Sequence, residues 1–281
     1  MQEGSGIAGR YNFLNVRRRR DRFAVARGVR NNAGVVMAAE ILILEAIIFV
    51  AFMVNTVTGF AGSIMALAIG VHLYSLESLV PVIVIVNLVV SIYIVAIHHE
   101  AIDRRLLLRE IIPATGLGVP IGLVLFNVAR TDTLKVAFGI FVIGFSLLEL
   151  FLILFYGNES PRKPLSRAQS FLWLFFGGVM HGLYASGGPP IVYYAGRNIQ
   201  DKRVFRSTLS AMWVILNTVI LVSDIATRKF TAESLWLATL LLPALALGIA
   251  LGEWLHPRIP ERSFRILVYS LLVVAGVLIL F

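Results

Sequence analysis

The chain has 281 residues and a formal net charge of +9; 58% of its residues are hydrophobic and 15% are charged. Its mean hydropathy of +0.84 lies far outside the range of soluble globular domains, so the composition indicates an integral membrane protein. The chain contains no cysteine, which excludes disulfide bonds, thiolate metal sites and cysteine nucleophiles.

Much of the positive charge lies in an arginine-rich arm, residues 1–36, that precedes the first apolar segment. A basic arm beside a membrane span is typical of an orientation signal that rests on anionic lipid headgroups, with about 1 kcal/mol for each arginine. We therefore expect a disordered, cytoplasmic arm that contacts lipid and no nucleic acid. No cleavable signal peptide is recognised before Met37, which opens the first span and is an alternative start.

Eight apolar segments follow, each close to the roughly 20 residues that cross a bilayer as a helix. They are continuous runs rather than short alternating stretches, so they predict helices and not barrel strands. The fold class is therefore an all-α polytopic membrane helical bundle, which argues against an outer-membrane location. Two shorter apolar pieces lie near 62–73 and 189–196. The eight segments are 37–57, 79–98, 110–128, 134–156, 168–184, 206–224, 234–252 and 264–281.

The chain contains an internal repeat. A shift of 130 residues aligns 55–151 with 185–281 without a gap. Polar and helix-breaking residues coincide as well as leucines, and such a constant offset indicates two halves of one transporter-like fold. The coinciding pairs are Asn87 with Asn217, Pro113 with Pro243, Gly118 with Gly248 and Gly122 with Gly252.

We predict four regions: a basic arm (1–36), a first transmembrane repeat (37–157), a charged linker (158–167) and a second transmembrane repeat (168–281). Each repeat has four elements and begins with a broken helix. The halves are parallel if each broken helix crosses the membrane, and inverted if its pieces fold back as hairpins. The basic residues leave both arrangements open, apart from a cytoplasmic N-terminus.

The glycines at four-residue spacing after Pro113 and Pro243 place a groove on one face of a helix. In lipid, such small residues allow two helices to approach closely. We therefore interpret both Pro-x4-Gly-x3-Gly motifs as packing devices and not as binding residues.

Each repeat is interrupted by a short stretch poor in helix-forming residues, "NTVTGFAGS" from residue 55 and "ASGGPP" from residue 185. Irregular backbone at membrane depth is tolerated only where it is buried in protein or lines a wet cavity. A new helix that starts at such a break directs its positive end and free amides at the break, where they can hold an anion. Two breaks that face each other at mid-membrane would form one shared anion pocket; the alternative is that the breaks serve only packing.

Four further side chains are candidates. His181 can carry a coupling proton or contact the anion, or it can be a neutral histidine bonded to a neighbouring helix. Arg206 can bind an oxyanion or act as a gate, or it can be an interfacial anchor that snorkels. Asn87 and Asn217 can bond the broken backbone or touch substrate. The residues predicted to contact the anion are Asn55, Thr56, Thr58, Gly59, Gly62, Ser63, Asn87, His181, Tyr184, Ser186, Gly187, Gly188, Pro189, Arg206 and Asn217.

Three stretches together resemble the TauE/SafE family of sulfite and organosulfur-anion permeases, also called the toluene-sulfonate uptake permease family. The resemblance covers about 37–281, and its most specific part is the Gly-Gly-Pro-Pro motif with Phe205-Arg206 downstream. It implies export or uptake of a small sulfur-containing or carboxylate anion across the bacterial inner membrane. The stretches are "TGFAGSIMALAIG" followed by Pro81 and Asn87, "AIDRRLLLREIIPATGLGVPIG", and "HGLYASGGPPIVYYAGRNIQDKRVFRSTLSAMWVILN".

No catalytic motif is present: the chain has no His-Glu-x-x-His pair, no Gly-x-Ser-x-Gly elbow and no phosphate-binding Gly-Lys-Ser/Thr loop. We therefore predict a protein without enzyme activity, cofactor or metal, and transport that is driven by the substrate gradient or by protons rather than by ATP. The leading hypothesis is a secondary transporter for a small anion. A passive anion channel and a non-transporting membrane scaffold are the alternatives.

Overall fold

The computed structural model describes residues 38–156, 165–199, 201–258 and 261–280. The basic arm and most of the charged linker lie outside these residues, so the four-region division stays a prediction. The chain separates into two compact units, residues 1–43 and 44–281. Of the first unit only the opening turns of one helix are described, and all that follows concerns the second unit.

Every regular element in the described part of the chain is helical, which confirms the all-α bundle. The helix Arg104–Val128 contains a π-helical turn at Leu107–Ile111 and Pro120, and Pro81 lies within the helix Leu76–His98. The helices are α1 (Ala38–Thr58), α2 (Gly62–Gly70), α3 (Leu76–His98), α4 (Arg104–Val128), α5 (Thr131–Tyr156), α6 (Arg167–Tyr184), α7 (Gly188–Asn198), α8 (Lys202–Ala226), α9 (Ala232–Leu240), α10 (Leu242–Leu255) and α11 (Glu261–Leu280).

The eight predicted apolar segments all form helices, and the two shorter pieces form α2 and α7. Among the described residues, α1, α3, α4, α5 and α8 are long and apolar enough to cross a membrane. Helices α9 and α10, which are bent by 44° at their junction, form a sixth candidate span. Helices α6 and α11 begin with charged and polar residues, which leaves a shorter apolar part.

Both predicted helix breaks are present. The first separates α1 from α2, and Gly59 at its centre has a φ of +85°, a conformation that favours glycine. The second separates α6 from α7, where Ala185 ends α6 in the left-handed region with a φ of +49°. Pro189 and Pro190 lie in the first turn of α7, where a missing N–H costs least.

Two glycine pairs bring α4 and α6 into backbone contact. A methyl group on Gly118 would collide with the backbone at Phe175 and Gly178, and one on Gly122 would collide with the backbone at Val179 and Gly182. Methyl groups on Gly178 and Gly182 of α6 would in turn collide with the backbone of α4. The interpretation of this motif as a packing device is confirmed.

The second motif packs in the equivalent way. Gly248 and Gly252 of α10 lie against the backbone of α1 at Phe49 and Met53, and Gly252 also meets Thr56. Helix α4 of the first repeat therefore packs on the broken helix of the second, and α10 of the second packs on the broken helix of the first. The repeat-equivalent helices α3 and α8 also pack on each other, as do α5 and α11. The two repeats are thus interleaved around the breaks.

We expect Gly118→Ala to destabilise the protein by about 1–3 kcal/mol, because the added methyl group forces α4 and α6 apart. Gly116→Ala is the matched control on the same helix, since no described atom lies within 4 Å of a methyl group at that position. The melting temperature of each purified variant in detergent checks the prediction. Equal melting temperatures for the two variants would contradict the close packing.

Candidate anion site

The two helix breaks meet. A methyl group on Gly188, at the start of α7, would lie 3.5 Å from the carbonyl oxygen and 3.6 Å from the Cβ of Phe60, which belongs to the first break. Both residues are buried. The helices α2 and α7 therefore begin next to each other, as expected for two breaks that face one another; the shared anion pocket stays a prediction.

Asn55 organises the first break from the last turn of α1. Its carbonyl oxygen accepts a hydrogen bond from the Gly59 N–H at 2.6 Å, and its side-chain Oδ1 accepts one from the Gly62 N–H at 3.1 Å. A side chain at Gly62 would collide with Asn55, so glycine is needed for this close approach. The amide oxygen of Asn55 thus satisfies the backbone of the break.

The two threonines of the first break also bond to the chain. The Thr58 hydroxyl donates to the Val54 carbonyl at 2.9 Å and accepts from the Phe60 N–H at 3.4 Å. The Thr56 hydroxyl donates to the Phe52 carbonyl at 2.8 Å. Sequence reasoning offered these side chains as ligand donors, but their hydrogen bonds hold the break in shape.

The second break is less completely bonded. The Gly187 N–H donates to His181 Nδ1 at 3.4 Å, and the Ala185 N–H donates to the His181 carbonyl at 2.7 Å. The Ser186 hydroxyl is buried and has no hydrogen-bond partner among the described residues. The Tyr184 hydroxyl, in contrast, is not free to donate to a ligand, because it donates to the Leu134 carbonyl at 2.9 Å.

Free backbone donors remain at both helix starts. The first N–H groups of a helix have no partner within the helix, and in α7 the two prolines and the bond from Gly187 to His181 leave the N–H of Gly188. In α2 the N–H groups of Ser63 and Ile64 have no hydrogen bond within the described chain. Backbone N–H groups without a partner and a positive helix end are therefore present at the start of both α2 and α7.

One stripe of α8 runs along both breaks. Arg206, Ser210, Trp213 and Asn217 follow each other at spacings of four, three and four residues, which places them on one helical face. The backbone and side-chain carbons of Arg206 lie against Gly59. Sequence reasoning identified Arg206 and Asn217 but missed Ser210 and Trp213, although their spacing was a signal that could have found them.

Trp213 connects the two breaks. Its Nε1–H donates to the Gly59 carbonyl of the first break at 3.0 Å. Its ring lies 5.1 Å, centroid to centroid, from the ring of His181, which precedes the second break. Asn217, one turn further along α8, is a hydrogen-bonding neighbour of the His181 ring, although the contact falls short of the geometry of a well-formed hydrogen bond.

Arg206 is buried and paired. Its Nη2 forms an ion pair with Glu253 Oε1 of α10, and its side chain is 4% exposed against 32% for Glu253. This burial differs from the snorkelling anchor that the sequence left open. His98 lies in the electrostatic field of this pair, and His256 Nδ1 lies 3.1 Å from the Val57 carbonyl. Glu253 was missed because nothing near it in the sequence points to a partner 47 residues away.

The unpaired polar atoms cluster around the second break and α8. Buried polar groups nearly always have partners, so such a cluster needs an explanation, for example a bound ligand. Each of these residues is at least nine-tenths buried. In the part of the chain that the structure describes, the unpaired side-chain atoms next to the second break and on α8 are His181 Nε2, Ser186 Oγ, Arg206 Nε, Ser207 Oγ, Ser210 Oγ, Asn217 Nδ2, Asn217 Oδ1 and Asp224 Oδ2.

Comparison with known proteins gives one match. A family model described as "Sulfite exporter TauE/SafE" matches residues 44–279, which include both breaks and the stripe on α8. No curated protein and no solved structure matches the chain.

We expect Trp213→Phe to lower stability by about 1–3 kcal/mol, because the buried Gly59 carbonyl loses its donor while the aromatic contact with His181 is kept. Trp236→Phe is the control, since Trp236 is 52% exposed on α9. The melting temperatures of the two purified variants in detergent are compared. A Trp213→Phe variant as stable as the control would show that the bond does not hold the two breaks together.

Proposed function

Because the chain belongs to the TauE/SafE sulfite exporter family, we propose that it is a secondary transporter that binds one small anion where its two helix breaks meet. The observation that carries the proposal is the contact between Phe60 and Gly188 beside a cluster of buried, unpaired polar groups. The transported anion is sulfite, thiosulfate, an organosulfonate or a small carboxylate. Transport proceeds by alternating access across the bacterial inner membrane, with the N-terminus on the cytoplasmic side.

The positive potential at this site comes from the backbone. Each helix start carries roughly half a positive charge, so two of them together offer about one. Arg206 adds little net charge because Glu253 neutralises it. The cost of removing an ion from water rises steeply with its charge, and the buried site lacks bulk solvent. A singly charged anion therefore fits better than a doubly charged one.

The burial of the site supports a carrier over a passive channel. His181, Ser186, Arg206 and Asn217 are each exposed by 4% or less. An open pore would leave such pore-lining groups accessible, whereas a carrier passes through an occluded state in which its site is closed on both sides. His181 is the candidate for a coupling proton, because it is an ionisable side chain inside the bundle and next to the second break.

The interleaved repeats suggest how access alternates. Each broken helix packs against a helix of the other repeat through glycines, so the backbones touch with no bulky side chains between them. Such surfaces can shift past each other by small displacements of packed helices. Motion of α4 and α6 relative to α10 and α1 would open the breaks first to one side of the membrane and then to the other.

We expect purified protein in liposomes to catalyse counterflow, in which an unlabelled anion loaded inside drives uptake of the same labelled anion. The panel comprises sulfite, thiosulfate, sulfoacetate, taurine and acetate. Near neutral pH, hydrogen sulfite or acetate should exchange faster than the doubly charged thiosulfate. Flux far above a carrier's rate without counterflow would indicate a channel, and no flux of any of these anions would favour a scaffold.

We expect Arg206→Leu to lower the melting temperature, because it leaves the partly buried Glu253 carboxylate unpaired, at a cost of about 1–3 kcal/mol. The double variant Arg206→Leu/Glu253→Leu should regain most of this stability, since no charge is then left unpaired. It should not regain full transport, because the guanidinium Nε beside the breaks is gone. A double variant as unstable as the single one would contradict the pairing.

A further inference from the structure

The repeat places two asparagines at equivalent positions of two helices that pack on each other, Asn87 on α3 and Asn217 on α8. Both polar atoms of the Asn87 side chain are hydrogen bonded. Its Nδ2 donates to Ser63 Oγ at the start of α2, and its Oδ1 accepts from the Ser91 hydroxyl at 2.9 Å. The amide of Asn87 thus ties α2 to α3, and both of its polar atoms have partners within the first repeat.

Asn217 lacks both of these partners. The positions equivalent to Ser63 and Ser91 are Tyr193 and Leu221. Leucine offers no polar atom, and the Tyr193 hydroxyl accepts a hydrogen bond from Arg197 at 2.7 Å. Asn217 is fully buried, and neither its Nδ2 nor its Oδ1 has a hydrogen-bond partner in the described residues. A buried amide with no well-formed hydrogen bond at either end is costly to keep unless another group completes it.

The neighbours of Asn217 are also incomplete. The Gly187 N–H donates to His181 Nδ1, so the neutral ring carries its hydrogen on Nε2. This Nε2–H is buried and finds no acceptor in hydrogen-bond geometry within the described chain. The Ser186 hydroxyl is also buried and has no hydrogen-bond partner there. His181 lies beside both Gly187 and Asn217. Three side-chain donors therefore stand together at the start of α7.

We propose that Asn217, and not its repeat partner Asn87, is the amide that binds the transported anion, together with His181 and Ser186. This assignment rests on the proposed transport function and narrows it: the second repeat supplies the side chains that recognise the anion, and the first repeat supplies a fixed frame. Neutral N–H and O–H donors in this number suit an oxyanion with several acceptor oxygens, such as a sulfite or a sulfonate, better than a halide.

The assignment predicts opposite effects on stability for two matched substitutions. Asn217→Leu keeps the number and branching of the side-chain heavy atoms but removes two unpaired polar atoms, so the melting temperature without anion should stay the same or rise. Asn87→Leu leaves the hydroxyls of Ser63 and Ser91 without their partner, so the melting temperature should fall. A purely structural role for both asparagines predicts a fall in both variants.

Binding is measured in the same samples. Hydrogen sulfite, acetate and chloride are titrated, and the rise in melting temperature gives an apparent Kd for the unaltered protein, Asn217→Leu and Ser91→Ala. Loss of a hydrogen bond to a charged ligand should weaken the affinity of Asn217→Leu for the oxyanions by about tenfold or more. Ser91→Ala, which disturbs only the Asn87 network, should keep the affinity of the unaltered protein.

The outcomes distinguish a failure of the proposed transport function from a failure of the Asn217 assignment. If the unaltered protein responds to neither oxyanion and transports none of the panel, the proposed function fails and this assignment fails with it. If the unaltered protein binds and Asn217→Leu binds equally well, or unfolds as readily as Asn87→Leu, only the assignment is overturned. Chloride binding as strong as that of the oxyanions would overturn the oxyanion preference.

Discussion

The structure depends on one constraint: a backbone N–H or carbonyl group that leaves a helix inside the hydrocarbon core must find a partner in the protein, in water or in a ligand. Asn55 and Thr58 meet part of this requirement at the first break, because they accept hydrogen bonds from the N–H groups of Gly62 and Phe60, while those of Ser63 and Ile64 have no hydrogen bond in the described chain. At the second break the Ser186 hydroxyl and the Nε2 of His181 also have no partner among the described residues. The two breaks therefore differ in their side chains: the second carries buried polar side-chain atoms without a partner.

The interleaving of the repeats brings the breaks together. Each broken helix is covered by a glycine-bearing helix of the other repeat, so neither half can bury its own break alone. Helix α8 then crosses both breaks with one face, on which Arg206 packs against Gly59 and Trp213 bonds to the Gly59 carbonyl. Through Trp213, which also stacks near the His181 ring, α8 therefore contacts both breaks.

Much of this fold could be predicted from the sequence, because apolar length defines membrane helices and glycine and proline mark where they break. The repeat also predicted which helices are equivalent. It did not reveal that Arg206 pairs with Glu253, because such a contact between distant segments depends on the packing of α8 against α10. Nor did it reveal that the Asn55 Oδ1 and the Thr58 hydroxyl form local hydrogen bonds, since the same atoms would serve a ligand if the backbone took another path.

The two repeats differ in the polarity of equivalent positions on α3 and α8. On α8 the stripe is Arg206, Ser210, Trp213 and Asn217, whereas the equivalent positions on α3 are Leu76, Val80, Ile83 and Asn87. Unpaired polar groups are expensive where the surroundings screen them poorly, so a chain has reason to keep them only where a ligand completes them. One anion needs one set of donors. The equivalent stripe on α3 is apolar except for Asn87, and both polar atoms of the Asn87 side chain are hydrogen bonded. The first repeat can therefore form a rigid frame. The proposed single anion site accounts for this asymmetry between the repeats, because a second set of donors would add desolvation cost without a second ligand to offset it.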